Sequence, residues 1–181
     1  MKVLKWIGIV AVGLLALILV VGFFLPADWR VERSVVVQAP PAVIHPYVSD
    51  LAKWPQWSPF DSEDPAMAIE VSTPSEGAGA WRSWKSEKMG DGRMVIVRSD
   101  PATGVEMKLT IEGWDSFGID FVYEATGDGA TKVTWIDSGT AGTNPFHRWM
   151  MLSVDSMLGP YFERGLASLK ALAENSAAPA K

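Results

Sequence analysis

The residue types that could transfer protons or bind metals are few in this sequence and lie far apart. The chain has no cysteine and two histidines, His45 and His147. Neither histidine has a partner at the spacing of an H-E-x-x-H helix, so the sequence predicts no metal site. The absence of cysteine excludes disulfide bonds, thiolate metal sites and cysteine nucleophiles.

Asp137 and His147 are the two side chains that could act as a general base. Asp137 alternates in register with Val133 and Trp135, so it could face the interior, where burial would raise the pKa of its carboxyl group. The alternative is a position at the solvated end of its strand. His147 and His45 lie on predicted helices, and each could face a ligand or have a structural or surface role.

Two short motifs lack the parts that would make them functional loops. Ser58 is not surrounded by the G-x-S-x-G pattern of a nucleophile, so we interpret it as a turn residue. The segment Gly77-Ala78-Gly79 lacks the lysine and the helix that follow a phosphate-binding loop, which also indicates a turn.

Tryptophan and methionine are more informative than the polar residues. Seven of the nine tryptophans lie between Trp54 and Trp149. A buried tryptophan usually hydrogen-bonds through its N–H, and methionine adapts to irregular apolar surfaces. Such residues either fill a core or line a cavity for an apolar ligand. The residues that we predict to line a cavity are Trp84, Met107, Trp135, Met150, Val154 and Leu158.

The strands that would position these side chains follow one another at short intervals. A first strand at 30–38 and a short helix at 41–50 are followed by a turn-rich aromatic segment. In the strand at 104–111, apolar residues at every second position predict an antiparallel sheet with one buried face. The remaining strands are predicted at 68–73, 80–87, 93–99, 117–125 and 131–138.

A long helix is predicted at the C-terminus, which makes the fold α+β. Asn144 can cap this helix and Pro145 suits its first turn. Apolar residues recur at helical spacing from Met150 to Leu172. Gly159-Pro160 predicts a kink, because a proline within a helix removes one backbone hydrogen bond.

The N-terminal segment predicts a membrane anchor. Residues 6–25 carry no charge, and a helix of about 20 residues spans the hydrocarbon core of about 30 Å. A cleaved signal peptide is the alternative, but its apolar region is shorter and Leu25-Pro26-Ala27 is a poor cleavage site. Lys2 and Lys5 precede the span and place the N-terminus in the cytoplasm. The remainder would then lie on the periplasmic or extracellular side.

Charge and length define the rest of the chain. The formal net charge is −5, and the sequence has no basic stripe, which argues against nucleic acid as a partner. We divide the chain into an anchor at 1–26, one domain at 27–174 and a disordered tail at 175–181.

Several short motifs, taken with the order of the elements, resemble a known superfamily. They lie at 33–41 (RSVVVQAPP), 54–60 (WPQWSPF), 131–135 (TKVTW) and 165–170 (GLASLK). These segments resemble the SRPBCC or START-like superfamily, and more closely its membrane-anchored, polyketide cyclase-like branch. The resemblance covers nearly all of 30–172. It implies a helix-grip fold, in which a curved antiparallel sheet of about seven strands wraps around the long C-terminal helix and encloses an apolar cavity.

The resemblance implies a ligand class but not an activity, because one fold hosts many functions. We expect membrane-tethered binding of a hydrophobic or lipid-like small molecule, without a cofactor. The first alternative is a cyclase or aldolase-type enzyme that uses Asp137 or His147 as its base. The second is an envelope protein-interaction module whose cavity is filled by side chains. The sequence leaves the ligand and the oligomeric state open.

Overall fold

The computed structural model describes residues 2–177, which begin with a long apolar helix. Helix α1 covers Lys2–Phe24. Within the described residues it is the one helix long and apolar enough to cross a membrane, over Val3–Phe24. Nearly all of its side chains are exposed, so the described residues leave most of this apolar surface uncovered.

Seven strands form one antiparallel sheet, as the resemblance implies. The spatial order is β1-β7-β6-β5-β4-β3-β2, so the first and last strands are neighbours and the others are joined in sequence. The strands are β1 Asp28–Val37, β2 Ala68–Val71, β3 Trp81–Lys85, β4 Gly92–Asp100, β5 Gly104–Ile111, β6 Phe117–Ala125 and β7 Thr131–Thr140. They confirm the predicted strands, and no strand end differs from its predicted position by more than two residues.

The connection between β1 and β2 carries short helices that cover part of the sheet. They are α2 Pro41–Ser49, a 3₁₀ helix Leu51–Gln56 and α3 Phe60–Glu63. Trp54 and Trp57 are buried here, and their indole N–H groups donate to the carbonyl oxygens of Val48 at 3.0 Å and Tyr47 at 2.9 Å. The aromatic segment that the sequence predicts as turns is therefore part of the core.

The C-terminal helix packs closely on the sheet. Helix α5 covers Val154–Ala177, and its Phe162 ring stacks on Trp135 with 4.4 Å between ring centroids. A Cβ atom on Gly165 would lie 2.8 Å from the Trp135 ring and 3.0 Å from Pro59 Cδ, so the close approach requires glycine at this position. Arg33 of β1 also forms an ion pair with Glu163 at 2.9 Å. These contacts fix α5 against β1 and β7.

The C-terminal helical region contains a break that the sequence does not predict. A short helix α4, Pro145–Met151, ends before α5 begins, and Leu152 and Ser153 form a turn with bonds to residues three positions earlier. The helix is continuous through Gly159-Pro160. Pro160 and Ser156 are both exposed, so water can hydrate the Ser156 carbonyl that the proline leaves unbonded.

The end of α5 extends into the segment that the sequence predicts as a disordered tail. Residues 175–177 are helical, and the Ser176 hydroxyl lies 2.6 Å from the Tyr47 hydroxyl of α2. Residues 178–181 lie outside the described part of the chain.

Candidate functional site: an apolar cavity with a buried carboxyl group

A cavity of about 170 Å³ lies between the sheet, the first turns of α5 and the segment around α3. Its walls are mostly aromatic and aliphatic. The sheet supplies Trp84, Met94, Leu109, Ile111, Phe117, Ile119 and Trp135, and the other elements supply Trp54, Phe60, Met67, Met89 and Leu158. The polar groups on the lining are Ser58, Asp61, Arg82 and Asp137.

The cavity lies at the end of the sheet from which the N-terminal helix emerges. Asp28, the first residue of β1, pairs with Thr140 at the end of β7. Ile111 is the last residue of β5 and Phe117 is the first of β6, so both belong to the same end. Both line the cavity.

The predicted lining residues divide into two groups of three. Trp84, Trp135 and Leu158 line the cavity. Met107 is buried in the core further along β5, with 3% of its surface exposed. Met150 lies on α4, and Val154 packs against the core from the first turn of α5. The cavity therefore takes up only one end of the buried sheet face.

Arg82 and Asp61 are lining residues that the sequence does not predict. The guanidinium group of Arg82 forms a buried ion pair with Asp61 of α3, and 2% of the Arg82 surface is exposed. Its Nε has no partner among the described residues. The sequence around Arg82 carries no local signal of its burial, because its partner is 21 positions away.

Asp137 faces the interior, which settles the choice between an inward and a solvated position. It is 5% exposed and accepts a hydrogen bond from Trp135 Nε1 at 2.9 Å. Burial disfavours the charged carboxylate and raises the pKa of Asp137 to about 8, while the Trp135 bond acts in the opposite direction. At neutral pH the group is therefore mainly a carboxylic acid, which can donate a proton or a hydrogen bond to a molecule in the cavity.

Neither histidine lies on the cavity. His147 stacks on Trp114 at the start of α4, with 4.9 Å between ring centroids. His45 on α2 is buried, and its Nε2 lies 3.1 Å from the Ser99 hydroxyl. Burial lowers the pKa of His45. The structure therefore separates both histidines from Asp137, and among the described residues no cluster of three His, Asp or Glu side chains could hold a metal ion.

A second, polar cleft of about 560 Å³ lies beside the turn between β3 and β4. Its carboxylates maintain that turn. Asp64 accepts a hydrogen bond from the Ser86 hydroxyl at 2.7 Å, and Asp91 accepts one from the Ser86 backbone N–H at 3.1 Å. The turn carries Met89, so these bonds fix one wall of the apolar cavity.

The sequence from β1 to α5 matches one protein family. The model of the family described as "Polyketide cyclase / dehydrase and lipid transport" covers residues 28–174. The protein belongs to this family. The match confirms the resemblance to the SRPBCC superfamily and its polyketide cyclase-like members. A comparison with curated proteins gives no match.

Several solved structures share the fold of this protein. The Zhui aromatase/cyclase from Streptomyces sp. R1128 has a TM-score of 0.60 and 16% identity, over 84% of this chain and 97% of that one. A Staphylococcus aureus protein of unknown function has a TM-score of 0.62 and 12% identity, over 83% and 96%. DynU16, from the dynemicin biosynthetic locus, has a TM-score of 0.56 and 15% identity over 81% of this chain, which spans 48% of its length. At these identities the similarity shows the fold alone.

Proposed function

We propose that this family member is a membrane-anchored binding protein that holds a small hydrophobic molecule in the cavity between the sheet and α5. The observation that carries the proposal is the composition of the lining, where Trp84, Trp135, Phe117 and Leu158 surround an interior with few polar groups. Ligand sites have this composition, with a few polar groups that fix orientation.

The size of the cavity limits what can enter it. At about 170 Å³ it is close to an apolar cavity of about 150 Å³ that binds benzene. One ring or the end of one acyl chain would fit, and the rest of a larger lipid would remain outside. The presence of the cavity favours ligand binding over an interaction module whose interior is filled by side chains.

The polar groups favour a ligand that has one oxygen acceptor. The carboxyl group of Asp137 is protonated at neutral pH and can donate to a carbonyl or hydroxyl oxygen. Arg82 Nε is buried without a partner among the described residues. An uncharged molecule with a polar end is thus better suited than a hydrocarbon.

The position of the cavity supports loading from a bilayer. Residues 25–27 connect α1 to β1, and three extended residues span about 10 Å. The cavity end of the sheet would then lie close to the lipid headgroups. With Lys2 and Lys5 on the cytoplasmic side, α1 would place the domain on the outer side of the membrane.

Mass spectrometry of ligands extracted from the purified full-length protein tests the proposal. Leu158→Phe adds volume at the cavity, and Leu172→Phe makes the same change on α5 where the side chain packs on the core. We expect a hydrophobic molecule to accompany the wild-type protein and Leu172→Phe, and to be reduced with Leu158→Phe. Equal recovery from both variants, or no molecule from any of them, would contradict binding in this cavity.

The second candidate function is an enzyme with Asp137 as its acid-base group. Its pKa of about 8 would allow the group to give up and regain a proton near neutral pH, and it lines the cavity. Asp137→Asn would then retain the extracted molecule but change its chemical identity from product to substrate. Recovery of one and the same molecule from both proteins would favour binding without turnover.

A further inference from the structure

Helix α4 lies directly against the last two turns of α1. The indole N–H of Trp149 donates to the carbonyl oxygen of Ile18 at 2.9 Å. A Cβ atom on Gly22 would lie 2.7 Å from Pro145 Cβ and 3.1 Å from Trp149 Cδ1. The two helices can approach this closely only because position 22 lacks a side chain.

Arg148 ties the two helices together at the end of α1. Its Nη1 donates to the carbonyl oxygens of Phe23 at 2.7 Å and Leu25 at 3.1 Å. Its Nε and Nη2 donate to the Gly142 carbonyl oxygen. The last turn of α1 has no basic residue of its own, so Arg148 supplies the positive charge that favours a helix C-terminus.

The contact with Ile18 sets the depth of α4. Ile18 precedes Phe24 by six residues, and a helix rises about 9 Å over that length. If α1 crosses a membrane, the Trp149 indole lies beside a part of α1 that is below the headgroups. Helices that lie in a membrane interface bury their apolar face by about 5–10 Å, which is the same depth.

Large apolar side chains around α4 are exposed to the surroundings. Phe146, Trp149 and Leu152 follow one another at intervals of three, which places neighbours on adjacent turns. The exposed fractions are 55%, 38% and 58%. The described part of the chain leaves these fractions uncovered, and tryptophan and phenylalanine are enriched where protein meets lipid.

We propose that Phe146, Trp149 and Leu152 form a second membrane contact, in which these side chains insert among lipids beside α1 and hold the cavity end of the domain against the bilayer. The proposal rests on the proposed function in one respect, that α1 crosses the membrane. The occupant of the surface is lipid rather than another protein, because the bonds from Arg148 and Trp149 to α1 place the surface at the depth of the bilayer.

Single-cysteine labelling tests this contact cleanly, because the chain has no cysteine. The full-length protein in lipid nanodiscs would carry an environment-sensitive fluorophore at Phe146→Cys or Leu152→Cys. Leu14→Cys, in the middle of α1, reports whether the helix is in the bilayer. Val97→Cys, on the distant half of β4 and 59% exposed, is the control for an apolar surface position in water. Each sample is measured with and without lipids that carry a nitroxide quencher near the headgroup or deep in the acyl chain.

The expected result is loss of fluorescence with nitroxide lipids at positions 14, 146 and 152 and no loss at position 97. Quenching at position 14 with positions 146 and 152 behaving like position 97 would overturn the second contact and leave the anchor intact. No quenching at position 14 would overturn the membrane span and this contact together.

Discussion

The buried carboxyl group of Asp137 makes folding stability depend on pH in an unusual direction. In an unfolded chain the pKa of aspartate is about 3.9, whereas in the folded domain burial raises the pKa of Asp137 to about 8. Between these values the folded state holds a proton that the unfolded state has released. The free energy of unfolding, as far as it depends on Asp137, is therefore highest below about pH 4 and falls progressively as pH rises to about 8.

The slope of the free energy of unfolding against pH gives the size of this loss of stability. One pH unit within this window changes the free energy of unfolding by about 1.4 kcal/mol per proton, so about 3 kcal/mol is lost between about pH 5 and about pH 7. With a urea slope of about 1–3 kcal/mol per molar, the midpoint moves by about 1–3 M.

Urea unfolding of the full-length protein in detergent, followed by circular dichroism, measures this loss. Asp137→Asn keeps an oxygen that can accept the Trp135 N–H and removes the titration. We expect wild-type stability to fall relative to Asp137→Asn as pH rises. Taking the difference cancels other titrating groups, including His45, whose pKa is lowered by burial.

Asp155→Asn is the matched control. The Arg33 guanidinium bonds to the Asp155 carboxylate and holds its pKa below the usual value, so Asp155 is ionised in both states across this range. The stability of Asp155→Asn should therefore change with pH in parallel with that of the wild type. If the Asp137→Asn curve is also parallel, Asp137 is ionised in the folded protein and our account of its environment is refuted.

Three further predictions concern the cavity wall and the membrane. Trp135→Ala should lower the free energy of unfolding by about 3–5 kcal/mol, because Trp135 is 1% exposed and packs on Phe162. Urea unfolding measures this loss, and a loss below about 1 kcal/mol would argue against a core position for Trp135. A rigid spacer inserted within residues 25–27, which connect α1 to β1, should slow the transfer of a fluorescent fatty alcohol from vesicles but leave its equilibrium affinity unchanged. Equal transfer rates would reduce α1 to a simple tether. A C-terminal reporter that is active only after export should be active, and activity from a reporter restricted to the cytoplasm would reverse the proposed orientation.

The elements were predictable where the signal is local. The alternation of apolar residues gives β5 and β6 with the bounds that the structure shows, at 104–111 and 117–125. The uncharged run at 6–25 identifies the apolar helix α1. These signals lie within single segments, because the two-residue period of a strand and the length of an apolar helix do not depend on the rest of the chain.

The break between α4 and α5 illustrates the limit of such reasoning. Proline at position 160 is a local signal for a kink, and it lies within one helix, Val154–Ala177, on an exposed face. The break falls at Leu152 and Ser153, where α4 leaves α5 to pack against α1. The position of this break depends on the contact between Trp149 and Ile18, which lie about 130 positions apart in the sequence.

The sequence by itself determined the family and the order of the elements, because motifs and periodicity are written along the chain. Only the tertiary structure decided which side chains line the cavity. Trp84, Trp135 and Leu158 reach it, whereas Met107 does not, although Met107 shares its strand face with the lining residue Leu109. A cavity is the space that separate elements fail to fill, so its position depends on how α3, α5 and the sheet pack together. The same packing removes water from Asp137, and that removal is what raises its pKa.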